Sequence, residues 1–275
     1  MQVFGNFIWI CEKKAVILCS YLNVLIMKKI FFLLMMVSLT VSCKTPCSDG
    51  QPKVGTIGKD TILGVPCCVY LPYAYADRVR HEETLFPVLY LQHGMWGNEN
   101  DWKEQGRLLA IMDSLLQRGL VREMVIVMPD NCPGRPTYEE EKENAMNGEW
   151  EANFAAFMAQ TEQRYAVSTD PSQRAIAGLS MGGYHTQQVT MTLPNQFGFI
   201  GVFSALITPP YSMEGNEDAL YWMAIGKDDF LYDTIQTYRR WLDTNHYEYT
   251  YYESAGGHEW PNWQDYICRF LQKLF

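Results

Sequence analysis

The stretch Arg174-Ala175-Ile176-Ala177-Gly178-Leu179-Ser180-Met181-Gly182-Gly183 reads as a short apolar strand, a turn carrying Gly-x-Ser-x-Gly, and the opening of a helix. In a sharp strand-to-helix turn, side chains at positions 178 and 182 would collide with neighbouring backbone, so glycine at both and serine between them suit a turn that exposes a hydroxyl. The bland alternative is a glycine-rich turn with an idle serine. A strand before the pattern and a helix after it weigh against that alternative, because context is more selective than the five-residue pattern itself.

Working outward, β-rich runs recur at residues 61–71, 87–92, 124–128, 174–177, 199–204, 221–225 and 247–253. Helical periodicity falls between many of them, most clearly at residues 102–118, 151–165, 181–193 and 231–245. Alternating strands and helices predict an α/β fold in one domain, with a mostly parallel central sheet and helices on both faces. The last helix is sharply patterned. Trp263, Tyr266, Ile267, Phe270, Leu271 and Leu274 repeat at i, i+3, i+4, i+7, i+8 and i+11, and an aromatic stripe of that period is a core face, not a cofactor box. Residues 131–150, with an acidic run from Glu139 to Glu143, read as one long insertion, either a loop over the site or a solvated excursion.

The amino-terminal region has its own logic. Met27-Lys28-Lys29 precedes thirteen nearly all apolar residues, 30–42, and then Cys43. That run is short for a bilayer core of about 30 Å, and with its basic flank it predicts a signal peptide over residues 27–42, with 1–26 as upstream readthrough. A two-part membrane anchor is the alternative. Leu39-Thr40-Val41-Ser42-Cys43 resembles a bacterial lipoprotein cleavage site, which implies a lipid on Cys43; simple secretion is the other outcome. Residues 43–60 then read as a tether and 61–275 as the functional domain. The protein is expected to be exported, as a periplasmic or cell-surface lipoprotein or else secreted.

Export removes four lysines and one glutamate, so a formal charge of −9 becomes −12. Such a surface repels phosphate backbones and anionic headgroups, which argues against nucleic acid as a partner and leaves the Cys43 lipid as the one route to a membrane. Oxidising surroundings permit disulfides. Cys67 and Cys68, however, are neighbours on a predicted strand and point to opposite faces, so they are poor partners for each other. No C-x-x-C and no H-E-x-x-H occurs, so nothing signals a metal.

A serine hydroxyl is a weak nucleophile until a base takes its proton and a third group holds that base in one tautomer. Five histidines compete. His258, in Ala255-Gly256-Gly257-His258-Glu259-Trp260, lies on a loop between a predicted strand and the last helix, and is the best placed. His93 follows an early strand, His185 lies on the helix after Ser180 and faces the wrong way, and His81 and His246 read as surface or helix-end residues. The strand at 221–225 runs into Gly226-Lys227-Asp228-Asp229, which offers Asp228 or Asp229 as the acid, with Asp233 nearby. The backbone N–H groups of Met181 and of Met95, beyond His93-Gly94, are the candidate donors to a developing oxyanion.

With these residues in view, the chain resembles the esterase D-type α/β hydrolases, and among them the family-one carbohydrate esterases that include feruloyl and acetylxylan esterases. Four blocks carry the likeness: Val69-Tyr70-Leu71-Pro72; Pro87 to Gly94 with Asp101-Trp102; Ala175 to Gly183; and Gly226 to Asp229 with Gly257-His258-Glu259-Trp260. The resemblance implies the α/β-hydrolase fold, a Ser180, His258 and Asp229 triad acting through an acyl-enzyme, the Met95 and Met181 oxyanion donors, and no cofactor. It also selects Asp229 over Asp228. It suggests acetyl or feruloyl groups on plant polysaccharide as substrate. The chain departs from relatives at the insertion before Trp150 and at Tyr184, where a smaller residue is usual; both could border the acyl pocket. Trp96, Trp150 and Trp260, with Tyr184, are the candidate substrate contacts, and Trp102 is a further tryptophan on the same loops. Two other readings share the fold: an acyltransferase or an esterase of siderophores or small esters, and an inactive sugar-binding lipoprotein.

Overall fold

The computed structural model describes residues 54–80, 85–132 and 146–275. The expectations for residues 1–42, for Cys43 and for the middle of the insertion, 133–145, lie outside them.

The strands are β1 (Thr56–Ile62), β2 (Val65–Leu71), β3 (Val88–Gln92), β4 (Val125–Pro129), β5 (Arg174–Leu179), β6 (Phe199–Phe203), β7 (Leu220–Gly226) and β8 (Thr250–Ser254). They form one sheet in the order β1-β2-β4-β3-β5-β6-β7-β8. β1, β2 and β4 pair antiparallel, and every pair from β4 through β3 to β8 is parallel. The helices among the described residues are α1 (Tyr75–Arg80), α2 (Asp101–Glu104), α3 (Leu108–Gln117), α4 (Glu149–Arg164), α5 (Met181–Thr192), α6 (Tyr232–Thr244) and α7 (Trp260–Leu271). This is the α/β-hydrolase arrangement, helices on both faces of a mostly parallel sheet.

The central strands are buried on both sides, which is why they read as unbroken apolar runs: all of β3, β4 and β5 is buried. Alternate side chains feed two core layers. Val88, Tyr90 and Ile176 meet Phe154 and Phe157 of α4, Val189 of α5 and Tyr238 of α6. Leu89, Leu91 and Ala177 meet Trp102 of α2, Met112 of α3 and the α7 stripe. In that stripe Tyr266, Ile267, Phe270 and Leu271 are fully buried. Truncating one such aromatic costs about 3–5 kcal/mol. Cys67 and Cys68 sit in opposite layers.

Two expectations need correction. The strand expected at residues 61–71 is a hairpin, turning at Leu63 and Gly64, both with positive φ, so residues 56–60 of the expected tether belong to the sheet. β1 leaves no apolar run in the sequence because it is an edge strand whose residues are mostly exposed and polar. The helix expected over 102–118 is two helices. Gly106 packs so closely on Trp102 that a Cβ would lie 2.6 Å from its carbonyl oxygen, and Arg107 at φ 52° redirects the chain into α3.

Candidate active site

Three loops at the carboxyl ends of β5, β7 and β8 converge on one point, where an open parallel sheet commonly builds its site. Ser180 ends β5 at φ 54° and ψ −119°. That conformation costs a non-glycine residue about 1–3 kcal/mol and persists only where the surroundings over-determine it. Here they do. The Ser180 N–H donates to Phe203 O at 2.8 Å, and Ser180 O accepts from the N–H groups of Gly183 and Tyr184, both at 3.1 Å. A Cβ at Gly178 would run into the backbone of Gly182, and one at Gly182 into the carbonyls of Gln92 and His93.

Glycine also brings the other two loops together. Gly226, at the end of β7, lies against the backbone of Gly256, where a side chain would not fit. Asp228 N–H donates to Gly256 O at 3.0 Å, and Gly256 itself holds φ 83°. The result is a short bridge between carboxylate and imidazole. His258 Nδ1 lies 2.9 Å from Asp229 Oδ2 and 3.1 Å from Oδ1, and His258 Nε2 lies 2.9 Å from Ser180 Oγ. The Asp229 side chain is fully buried, whereas that of His258 is 17% exposed. Burial pushes the Asp229 carboxyl up, but the hydrogen bonds from His258 and from the Leu231 N–H outweigh it and hold the group below the usual carboxylate range. Asp228 and Asp233 are exposed.

On the other side of the serine, the loop after β3 comes close enough that a Cβ on Gly94 would sit 3.3 Å from Ser180 Cβ. Gly97 N–H closes this turn onto Gly94 O at 3.1 Å, with Met95 and Trp96 at its tip. His93 is buried beneath it. Its Nδ1 lies 2.7 Å from Gly94 O and its Nε2 accepts from Asn131 N–H at 3.1 Å, a pairing that needs the proton on Nδ1. His93 is therefore a brace between the β3 loop and the end of β4. Met181 opens α5, and the first N–H groups of a helix have no intrahelical acceptor. His185 faces away into the core, with Nδ1 2.6 Å from Glu151 Oε1.

A cleft of about 470 Å³ surrounds Ser180 and His258, and its lining includes Met95, Trp96, Tyr184 and Trp260. Trp150 is not among the lining residues. It belongs to the first turn of α4, packs against Phe154 and Phe157, and donates from Nε1 to Gln92 Oε1 at 2.6 Å. Trp102 is 1% exposed and donates to Gln92 O at 3.0 Å. Sequence reasoning passed over Phe230, which also lines the cleft and is 75% exposed. The only available signal was an aromatic directly after Asp228-Asp229, which does not distinguish core from surface. Among the described residues, no cluster of His, Cys, Asp and Glu could hold a metal ion, and no helix is long and apolar enough to cross a membrane.

Hydroxyl, imidazole and buried carboxylate in this order can draw the proton from Ser180 Oγ to Nε2 while Asp229 holds the Nδ1–H. A family model described as a putative esterase matches residues 64–243. The endo-1,4-β-xylanase/feruloyl esterase of Xylanibacter ruminicola is 33% identical over 144 residues, covering 50% of this chain and 19% of that protein. This chain thus spans only about a fifth of that relative. The acetyl esterase of Caldicellulosiruptor saccharolyticus is 24% identical over 228 residues, covering 67% of this chain and 82% of that protein. A solved ferulic acid esterase superposes with a TM-score of 0.69 at 25% identity, over 82% of this chain and 100% of that one.

Proposed function

This chain belongs to the putative-esterase family whose model it matches over residues 64–243, and from that membership we propose that it removes hydroxycinnamoyl or acetyl groups from carbohydrate, with Ser180 as nucleophile, His258 as base and Asp229 as the group that orients the base. The observation that carries the proposal is the unbroken relay of 2.9 Å from Ser180 Oγ to His258 Nε2 and 2.9 Å from Nδ1 to Asp229 Oδ2.

In the first half-reaction Ser180 Oγ bonds to the ester carbonyl carbon as its proton passes to His258 Nε2. The carbonyl electron pair moves onto oxygen, to which the N–H groups of Met95 and Met181 donate hydrogen bonds, each such donor contributing roughly 3 to 4 kcal/mol. The pair returns, the carbon–oxygen bond to the sugar breaks, and the sugar oxygen takes the proton from Nε2. Water then attacks the acyl-enzyme, giving its proton to Nε2, which returns it to Ser180 Oγ as the acid departs. Asp229 stays ionised throughout, consistent with its lowered carboxyl.

The cleft lining favours the larger acyl group: Trp96, Tyr184 and Trp260 offer aromatic surface along which an aromatic acid packs and of which an acetyl group covers little. The feruloyl esterase activity named for the Xylanibacter ruminicola relative supports the same choice. The signal-like residues 27–42 and Cys43 support action outside the cytoplasm, with the domain tethered by lipid at Cys43.

Initial rates on methyl ferulate, acetylated xylan and p-nitrophenyl acetate test the proposal. Methyl ferulate is expected to turn over fastest, and Ser180→Ala to lower kcat by about 10⁴-fold or more, because the three groups act as a unit. A loss of about tenfold or less would place the nucleophile elsewhere.

A further inference from the structure

We infer that Phe230 is the platform on which the alcohol half of the ester, the sugar ring that departs, is held during acylation. The inference rests on the esterase reading above and concerns a residue that reading leaves without a role. Its physical basis is the direction in which the proton must travel. The leaving oxygen has to accept a proton from His258 Nε2, so the leaving group must lie within hydrogen-bond reach of that nitrogen, on the imidazole side of the serine.

Among the described residues the imidazole has two aromatic neighbours in ring contact, and they differ in kind. Trp263 meets it edge-to-face at 4.9 Å and is 7% exposed, so that side is closed by core. Phe230 meets it at 4.5 Å between ring centroids and is 75% exposed, the most exposed of the large apolar side chains among the described residues. It also lines the cleft that holds Ser180. Its chain neighbour Asp229 is turned fully inward, so the backbone here sends a carboxylate to the histidine and the next side chain out to water. A lone exposed apolar residue needs no explanation. A phenyl ring left open to water against the proton-donating imidazole is a different case, because the departing alcohol must pass that spot. The face of a phenyl ring carries the negative part of its quadrupole and attracts the polarised C–H bonds on one face of a sugar. Phe230 is thus a specificity-determining residue for the alcohol. It takes no part in the proton relay.

The readout is a ratio: kcat/KM on a feruloylated oligosaccharide divided by kcat/KM on methyl ferulate, for the unaltered protein, Phe230→Ala and Phe230→Trp. A methyl group offers no face to the ring, so Phe230→Ala is expected to lower the ratio about tenfold, while Phe230→Trp keeps it within about twofold. The deficit should appear in the acylation burst, since the alcohol has gone before deacylation begins. A ratio unchanged in Phe230→Ala, whatever the absolute rates, would overturn the assignment and leave Phe230 as a brace for His258. If the unaltered protein hydrolyses neither feruloyl ester, the hydroxycinnamoyl reading falls and this inference with it, whereas the esterase reading falls only if p-nitrophenyl acetate is left intact too.

Discussion

The indole N–H of Trp150 donates to Gln92 Oε1 at 2.6 Å, and Gln92 passes the chain on through Nε2 to Thr186 Oγ1 at 3.1 Å. Three elements meet in that fully buried amide: the first turn of α4, the end of β3 just before the Gly94 turn, and the helix that Ser180 opens. Trp150→Phe would leave the Gln92 oxygen buried without a donor, at a cost of about 1–3 kcal/mol. Urea unfolding should show that loss, and the preference between sugar and simple esters should stay as it was. Intact stability with a defect confined to sugar esters would instead put the indole in contact with substrate.

Gly182 supports the serine by having no side chain. A methyl there would press on the carbonyls of Gln92 and His93, backbone that cannot swing aside. Gly182→Ala is therefore expected to destabilise by about 1–3 kcal/mol and to lower kcat, because the strand it displaces leads into the Gly94 turn. Gly58→Ala is the matched control. A Cβ at Gly58 meets nothing within 4 Å, and no positive φ is involved, so its unfolding midpoint should hold. Equal midpoints for both variants would remove the steric account of the turn.

These contrasts show which parts of the molecule its sequence makes legible. The β5 turn can be read directly because strand, glycines, serine and helix are adjacent, and each constrains the next within ten residues. The meeting of Ser180 with Asp229 and His258 can be read only through chain order and family likeness. The contacts that achieve it, such as Gly226 against Gly256, join residues thirty apart and leave no local mark. Asp228 and Asp229 look alike in sequence; exposure separates them, since one faces solvent and the other is buried under the imidazole. Trp150 read as a loop residue because the acidic run before it masks where α4 begins. Phe230 read as nothing, since a single aromatic after two aspartates carries no period.

Asp229 should govern part of the acid response. Its carboxyl is held below the usual range in the folded protein, so the stability it contributes is complete above the unfolded value of about 3.9 and is lost as pH falls through the lowered folded value. The unaltered protein should therefore lose urea resistance as pH falls below about 4, the unfolded carboxyl value, more steeply than Asp229→Asn. The variant has no proton to take up at this site. Parallel slopes for the two proteins would mean that the carboxyl is not depressed in the fold.

The buried cysteines give a test that needs no substrate. Burial in the sheet pushes the Cys67 thiol up to about 12, and burial raises Cys68 and the half-buried Cys268 as well. Only the thiolate alkylates. At pH 8, iodoacetamide should therefore mark Cys268 before Cys67 in the folded protein, and all of them at similar rates in urea, with peptide mass mapping as the readout. The same shift carries a sign for stability. A raised thiol favours the fold fully below its unfolded value of about 8.5, and that contribution is lost as pH rises towards the folded value, because the unfolded chain ionises first. Cys67→Ser, whose hydroxyl does not titrate in this range, should flatten the alkaline limb of the stability profile. Native-state labelling of Cys67 as fast as Cys268 would show that the β1–β2 end of the sheet opens to solvent.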